Sequence, residues 1–120
     1  MREMSKASKR LVRDMAALIE ATDHLCEVLR RYQTGSAEVA ARVEQGELLE
    51  DALRTAEGPV RRVEVTDSLA EFEAARHQVR LAMFALGDEQ GTSASALGRQ
   101  LAFSRQLASR LANEANDTLT

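Results

Sequence analysis

Aromatic residues are scarce in this sequence. There is no tryptophan, one tyrosine and three phenylalanines, 3% of the chain in all. Alanine, leucine, glutamate and arginine dominate instead, which is a helical composition. The single cysteine, Cys26, excludes an internal disulfide and fits a reducing cytosol. No run is long and apolar enough to span a bilayer. The opening "MREMSKASKR" is charged and lacks the apolar run of a secretion signal, so a cytoplasmic protein is expected. No nucleophile–base motif and no glycine-rich phosphate loop is present. An enzyme is therefore not expected, nor is a cofactor or a metal.

A basic excess is also missing. The formal charge is −3, which excludes a wholly basic nucleic-acid protein. The charge is nevertheless uneven. Residues 34–74 carry 4 Arg and 10 acids, or −6. Residues 1–33 carry 7 Lys/Arg and 5 acids, or +2, and residues 92–120 carry 3 Arg and 2 acids, or +1. Contact with a polyanion would come from the ends. Lysine is almost absent, 2 against 14 Arg, as in a GC-rich coding sequence.

What the chain does have is helical periodicity. Over residues 5–32 a seam recurs at Leu11, Met15, Leu18, Thr22, Leu25, Leu29 and Tyr32, in alternating steps of four and three. Val12, Ile19 and Cys26 form a second row beside it. The stripe is wider than a two-stranded seam needs, so burial against more than one helix is expected, with Cys26 a buried thiol. "QTGS" at 33–36 reads as a break. A second helix is expected over 37–56, capped by Ser36, with Val39, Val43, Leu49 and Leu53 on its apolar face and Gly46 inside it. "EGPV" at 57–60 ends it, and 59–66 reads as a connector.

A capping box, Ser68 with Glu71, marks a third helix. Leu69, Phe72, Val79, Met83 and Leu86 line it, and Gly87 reads as its stop. After the turn at 87–91, Thr92 or Ser93 caps a short helix through Leu101. Residues 102–104 break the chain, and a last helix follows over 105–116. The tail at 117–120 is expected to fray.

The stretch "GTSASALGRQLAFSRQLASRL" at 91–111 resembles the helix-turn-helix of bacterial transcription regulators. Ser93 stands at the cap of the first helix. Leu97 and Gly98 are the aliphatic and small pair, and Leu101 packs one turn later. Ala102 stands at the turn, Phe103 and Ser104 open the second helix, and Ala108 and Leu111 are its core positions. Two steeply crossed helices touch at one point, and a small residue at Gly98 permits that approach. Two departures are visible. Ala102 stands where glycine is usual, which strains a left-handed turn, and Ala96 stands where an acid is usual.

On a wheel of 100° per residue, Leu107, Ala108 and Leu111 fall on the inner side of the last helix. Arg105, Gln106, Ser109, Arg110 and Asn113 fall on the outer side. Arg pairs with guanine and Gln or Asn with adenine in a major groove. Ser104, Thr92 and Ser93 are candidate phosphate contacts at the two helix starts. This face has no acid until Glu114.

Other polar groups carry less. His24 and His77 each follow a glutamate by four residues (Glu20, Glu73) and read as surface pairs, with no surrounding Cys/His cluster. Glu44, Glu47, Glu50 and Asp51 read as a solvated face.

The expectation is thus an all-α chain of five helices. Residues 1–58 would form an N-terminal helical hairpin for dimerisation or support, 59–66 a connector, and 67–120 a tri-helical helix-turn-helix unit. The resemblance implies a sequence-specific transcriptional regulator binding double-stranded DNA as a homodimer through residues 5–56. Two half-sites would lie about 34 Å apart. The seam on the first helix serves equally as subunit interface or as intramolecular core. The alternative is an interaction module for a sigma factor, polymerase or another regulator.

Overall fold

The computed structural model describes residues 3–119. Those residues form five α-helices and no strand: α1 (Lys6–Glu44), α2 (Leu49–Thr55), α3 (Gly58–Glu89), α4 (Ala94–Gln100) and α5 (Arg105–Leu119). No helix among them is long and apolar enough to cross a membrane.

Two of the expected breaks are helical. α1 runs through "QTGS", with Gly35 inside it. One helical glycine costs roughly 1 kcal/mol relative to alanine, which a long packed helix absorbs. The real end of α1 is Gly46 at φ 92, where Gly46 N–H donates to Val43 O and Glu47 N–H to Arg42 O. The helix expected over 37–56 is therefore split: 37–44, and its expected cap Ser36, belong to α1, and Leu49–Thr55 form α2. Residues 59–66, expected as a connector, lie inside α3. Pro59 sits in the first turn of α3, where its missing N–H costs nothing. Ser68 is then no cap; it lies deep in α3 and is buried.

Gly87 is not the stop of α3. The helix continues to Glu89, and Gly91 at φ 81 takes the left-handed position. Thr92 N–H donates to Gly87 O at 2.8 Å and Gly91 N–H to Asp88 O at 3.1 Å, a Schellman closure. Gly87 is small for another reason: a Cβ there would lie 3.1 Å from Leu97 Cδ2. The last helix extends to Leu119, beyond the expected end; Thr120 lies outside the described residues.

The chain divides into two compact units. Unit 1 joins the residues up to Leu18 with those from Ala74 onward; unit 2 is Ile19–Glu73. In unit 1, Ser5 Oγ accepts from Ser8 N–H at 3.1 Å and donates to Glu89 Oε2 at 2.8 Å, so α1 begins beside the end of α3. The core of unit 1 is Leu81, Phe84, Ala85, Ala108, Leu111 and Ala115, with Leu97, Leu101, Phe103 and Leu107 packed against it.

Unit 2 buries Leu25, Val28, Ala52 and Ala56. Arg31 meets Glu64 at 3.4 Å, joining its part of α1 to its part of α3. Of the acids expected on a solvated face, Glu44 and Glu50 are exposed and Glu47 and Asp51 half-buried. Arg42 pairs with Glu47 at 3.1 Å and Glu38 at 3.2 Å, and Arg54 pairs with Asp51 at 3.3 Å and Glu50 at 3.7 Å. The hydrogen bonds that Arg42 donates to Glu47 and then to Glu38 push its guanidinium above its already high range.

The seam on α1 is shifted from the expected one. Leu25 and Val28 are buried and Leu11, Leu18 and Ala21 half-buried, whereas Met15, Thr22, Leu29 and Tyr32 are exposed. Cys26, expected as a buried thiol, is exposed. A stripe this wide has two candidate centres, and the inward one is rotated away from Cys26.

Candidate nucleic-acid interface

α4 and α5 are placed by local chemistry. Ser93 Oγ accepts from Ala96 N–H and Ser104 Oγ accepts from Leu107 N–H, each at 3.1 Å, so both serines are N-caps. Between them Phe103 N–H donates to Gly98 O at 2.8 Å and Ala102 N–H to Arg99 O at 3.2 Å. This is again a Schellman closure, with Ala102 at φ 59 in the left-handed position. An L-residue with a Cβ pays roughly 1–2 kcal/mol there.

The two helices touch at Gly98. It is buried, and a Cβ on it would lie 2.7 Å from Ala108 Cβ, closer than packed carbons come. The approach turns Ala108 and Leu111 inward, each 2% exposed. Phe103 closes the elbow against α3. Its ring lies 6.4 Å from that of Phe84, and Arg80 Cζ lies 4.9 Å from its centroid.

With that side buried, the opposite side of α5 faces out. Arg105, Gln106, Ser109, Arg110 and Asn113 are all exposed, as are Thr92, Ser93 and Ser104. The first five line one open groove of about 990 Å³. Arg105, Ser109 and Asn113 also border a smaller concavity against Ala94 and Ser95 of α4, about 400 Å³. Thr92 and Ser93 do not line the larger groove; with Phe84 and Asp88 they edge a small cleft of about 60 Å³. Ser104 lines none of these three.

α3 adds Arg80, which the sequence reading missed, and His77, which it read only as a surface pair with Glu73; both line the larger groove with α5. Their spacing of three on the polar side of α3 was a weak signal, because the partner helix was not known. His77 Nε2 meets Glu114 Oε2 of α5 at 2.9 Å across the groove.

The electrostatics of α5 run against ordinary helix practice. Its first turn holds Arg105 and no acid, although a helix N-terminus favours a negative side chain. Neither Arg105 nor Arg110 has an ion-pair partner among the described residues. One unpaired guanidinium, Arg105, thus stands at a positive helix start and a second, Arg110, in the next turn, with amide and hydroxyl groups between them. Such an arrangement donates hydrogen bonds to an anion and to base edges.

The chain matches no protein-family model, no curated protein and no solved structure at a significant level.

Proposed function

We propose that the protein is a sequence-specific DNA-binding transcriptional regulator that acts as a homodimer. The C-terminal part of α3 with α4 and α5 would serve as a tri-helical helix-turn-helix unit, and α5 would enter the major groove. The observation that carries this reading is the outward face of α5: five exposed hydrogen-bonding side chains, two of them arginines without a partner, on a helix with no acid in its first turn. Arg105 and Arg110 are assigned to guanine, Gln106 and Asn113 to adenine, and Ser109 to either. Ser104, Thr92 and Ser93 are assigned to phosphates, each through its hydroxyl hydrogen, since the oxygens of Ser93 and Ser104 already cap their helices. Arg80 would support the groove wall from α3.

The test is selection of bound duplexes from a random pool by the purified chain. The reading predicts enrichment of a short two-fold repeat whose half-sites are about one helical turn, or a multiple of it, apart. A pool that remains random after repeated rounds overturns it.

A second reading has its own observation. Unit 2 carries 6 Arg and 13 acids, a formal −7, and leaves Leu48, Leu49 and Val60 exposed. An acidic surface with apolar residues suits a protein partner such as a sigma factor or polymerase, and would repel DNA. The two readings separate by salt, because DNA affinity falls with a log–log slope of about −0.9 per phosphate neutralised.

A further inference from the structure

The exposed residues of α1 within unit 2 form a row of their own. Ile19, Thr22, Cys26, Leu29, Gln33 and Ser36 recur in steps of three and four, and every one is exposed. Ile19 is 63% exposed and Leu29 42%. This row lies about a quarter-turn around the helix from the inward row of half-buried Ala21 and buried Leu25 and Val28. α1 therefore carries two heptad faces, and only one is covered within its own unit.

On the outer flank of the uncovered row stand Asp23 and Arg30, seven residues apart. Both are exposed, and neither has an ion-pair partner among the described residues. Seven residues span about 10 Å of helix, too far for them to meet within one chain. In a coiled coil the flanking charges set partner and orientation. A parallel second copy would bring the flank against the inward row around Leu25. An antiparallel copy brings flank against flank.

We propose that this row packs antiparallel against the same row of a second copy. Cys26 of one copy lies opposite Leu29 of the other, Thr22 opposite Gln33 and Ile19 opposite Ser36. Thr22 then faces the polar Gln33, and Asp23 pairs with Arg30 of the second copy, twice by symmetry. Sliding the partner by one heptad in one direction opposes Asp23 to Asp23. Sliding it the other way opposes Arg30 to Arg30. The charges thus select one register and refuse its neighbours. The inference rests on the dimeric part of the proposed function and not on recognition of DNA.

Sedimentation equilibrium of the full chain tests it, with duplex binding by the same preparations followed separately. The wild-type chain should sediment as two copies of 13.2 kDa at micromolar concentration. Leu29→Glu should give the monomer with unchanged helicity by circular dichroism. Asp23→Arg and Arg30→Asp should each raise the dimer Kd roughly tenfold, about 1.4 kcal/mol. The double reversal should return the Kd to within about threefold of wild type, because the pairing is restored with its signs exchanged. A monomeric wild type overturns the inference whether or not it binds DNA. A dimer that survives Leu29→Glu overturns the surface. A dimer broken by Leu29→Glu but indifferent to the charge reversals overturns the antiparallel register. Loss of DNA enrichment alone, with the dimer intact, would count against the reading of α5 and leave this interface standing.

Discussion

The two compact units spend their apolar residues differently. Unit 1 turns Leu81, Phe84, Leu111 and three alanines into a closed core and leaves arginines outside. Its formal charge is +4, from 10 Lys/Arg and 6 acids. Unit 2 buries Leu25, Val28 and two alanines, leaves Leu48 71% exposed, and carries −7. The starts of their short elements differ in the same sense. α2 opens with Glu50 and Asp51, which suit a helix N-terminus, whereas α5 opens with Arg105 and no acid. Unit 1 gives up some helix stability to hold a cation, Arg105, at a helix start. Unit 2 follows the helix rules but leaves apolar surface uncovered. The first pattern suits an anionic ligand and the second a protein surface.

Matched leucine truncations test this contrast with the largest expected effect. Leu111→Ala in unit 1 should destabilise the fold by about 2–5 kcal/mol, because it empties a 2%-exposed position. Leu48→Ala in unit 2 should change stability by less than about 0.5 kcal/mol. Urea denaturation measures both, and equal losses would erase the distinction between the units.

A pair of helical glycines sharpens it. At Gly98 an added Cβ would sit 2.7 Å from Ala108 Cβ, and at Gly35 it would sit 3.8 Å from Ala56 O, an ordinary contact. Gly98→Ala should cost about 1–3 kcal/mol by overpacking. Gly35→Ala should stabilise by about 0.5–1 kcal/mol through helix propensity. The opposite signs are the expected outcome, and thermal unfolding reads them directly.

The smallest effect is expected at the turns. Ala102→Gly relieves the left-handed strain at φ 59 but adds unfolded-chain freedom, for a net gain of about 0.5 kcal/mol. A loss of melting temperature in this variant would contradict the geometry of the elbow.

The sequence was most legible where local chemistry decides the structure. Ser93, Ser104, Gly98 and Ala102 act within a few residues, and their caps, close approach and positive φ could be anticipated from residue type. It was least legible where distant packing decides. "QTGS" and residues 59–66 look like breaks, but a single glycine or an early proline costs less than a long packed helix returns. Gly87 and Gly91 are equally good stops by composition. Only the pressure of Leu97 on Gly87 assigns one to packing and the other to the cap. The side of α1 that turns inward was undecidable within a broad stripe, so Cys26 was placed on the wrong side of it. On α5 the residues read as outward-facing are exposed, because a strong 3.6-residue pattern settles facing without a partner. His77 and Arg80 of the same groove stayed hidden, since they join it only through the packing of α3 on α5.

The central claim is that the outer face of α5 binds DNA. Its most direct test is the salt dependence of affinity for a selected duplex, measured on the wild-type chain and on Arg105→Ala/Arg110→Ala. The account predicts a steep fall in wild-type affinity with salt, and a loss of roughly 30-fold or more in the double variant, at about 1–3 kcal/mol per arginine. Helicity should be unchanged. A double variant that binds the same duplex as tightly as the wild type, with the same salt slope, would contradict it.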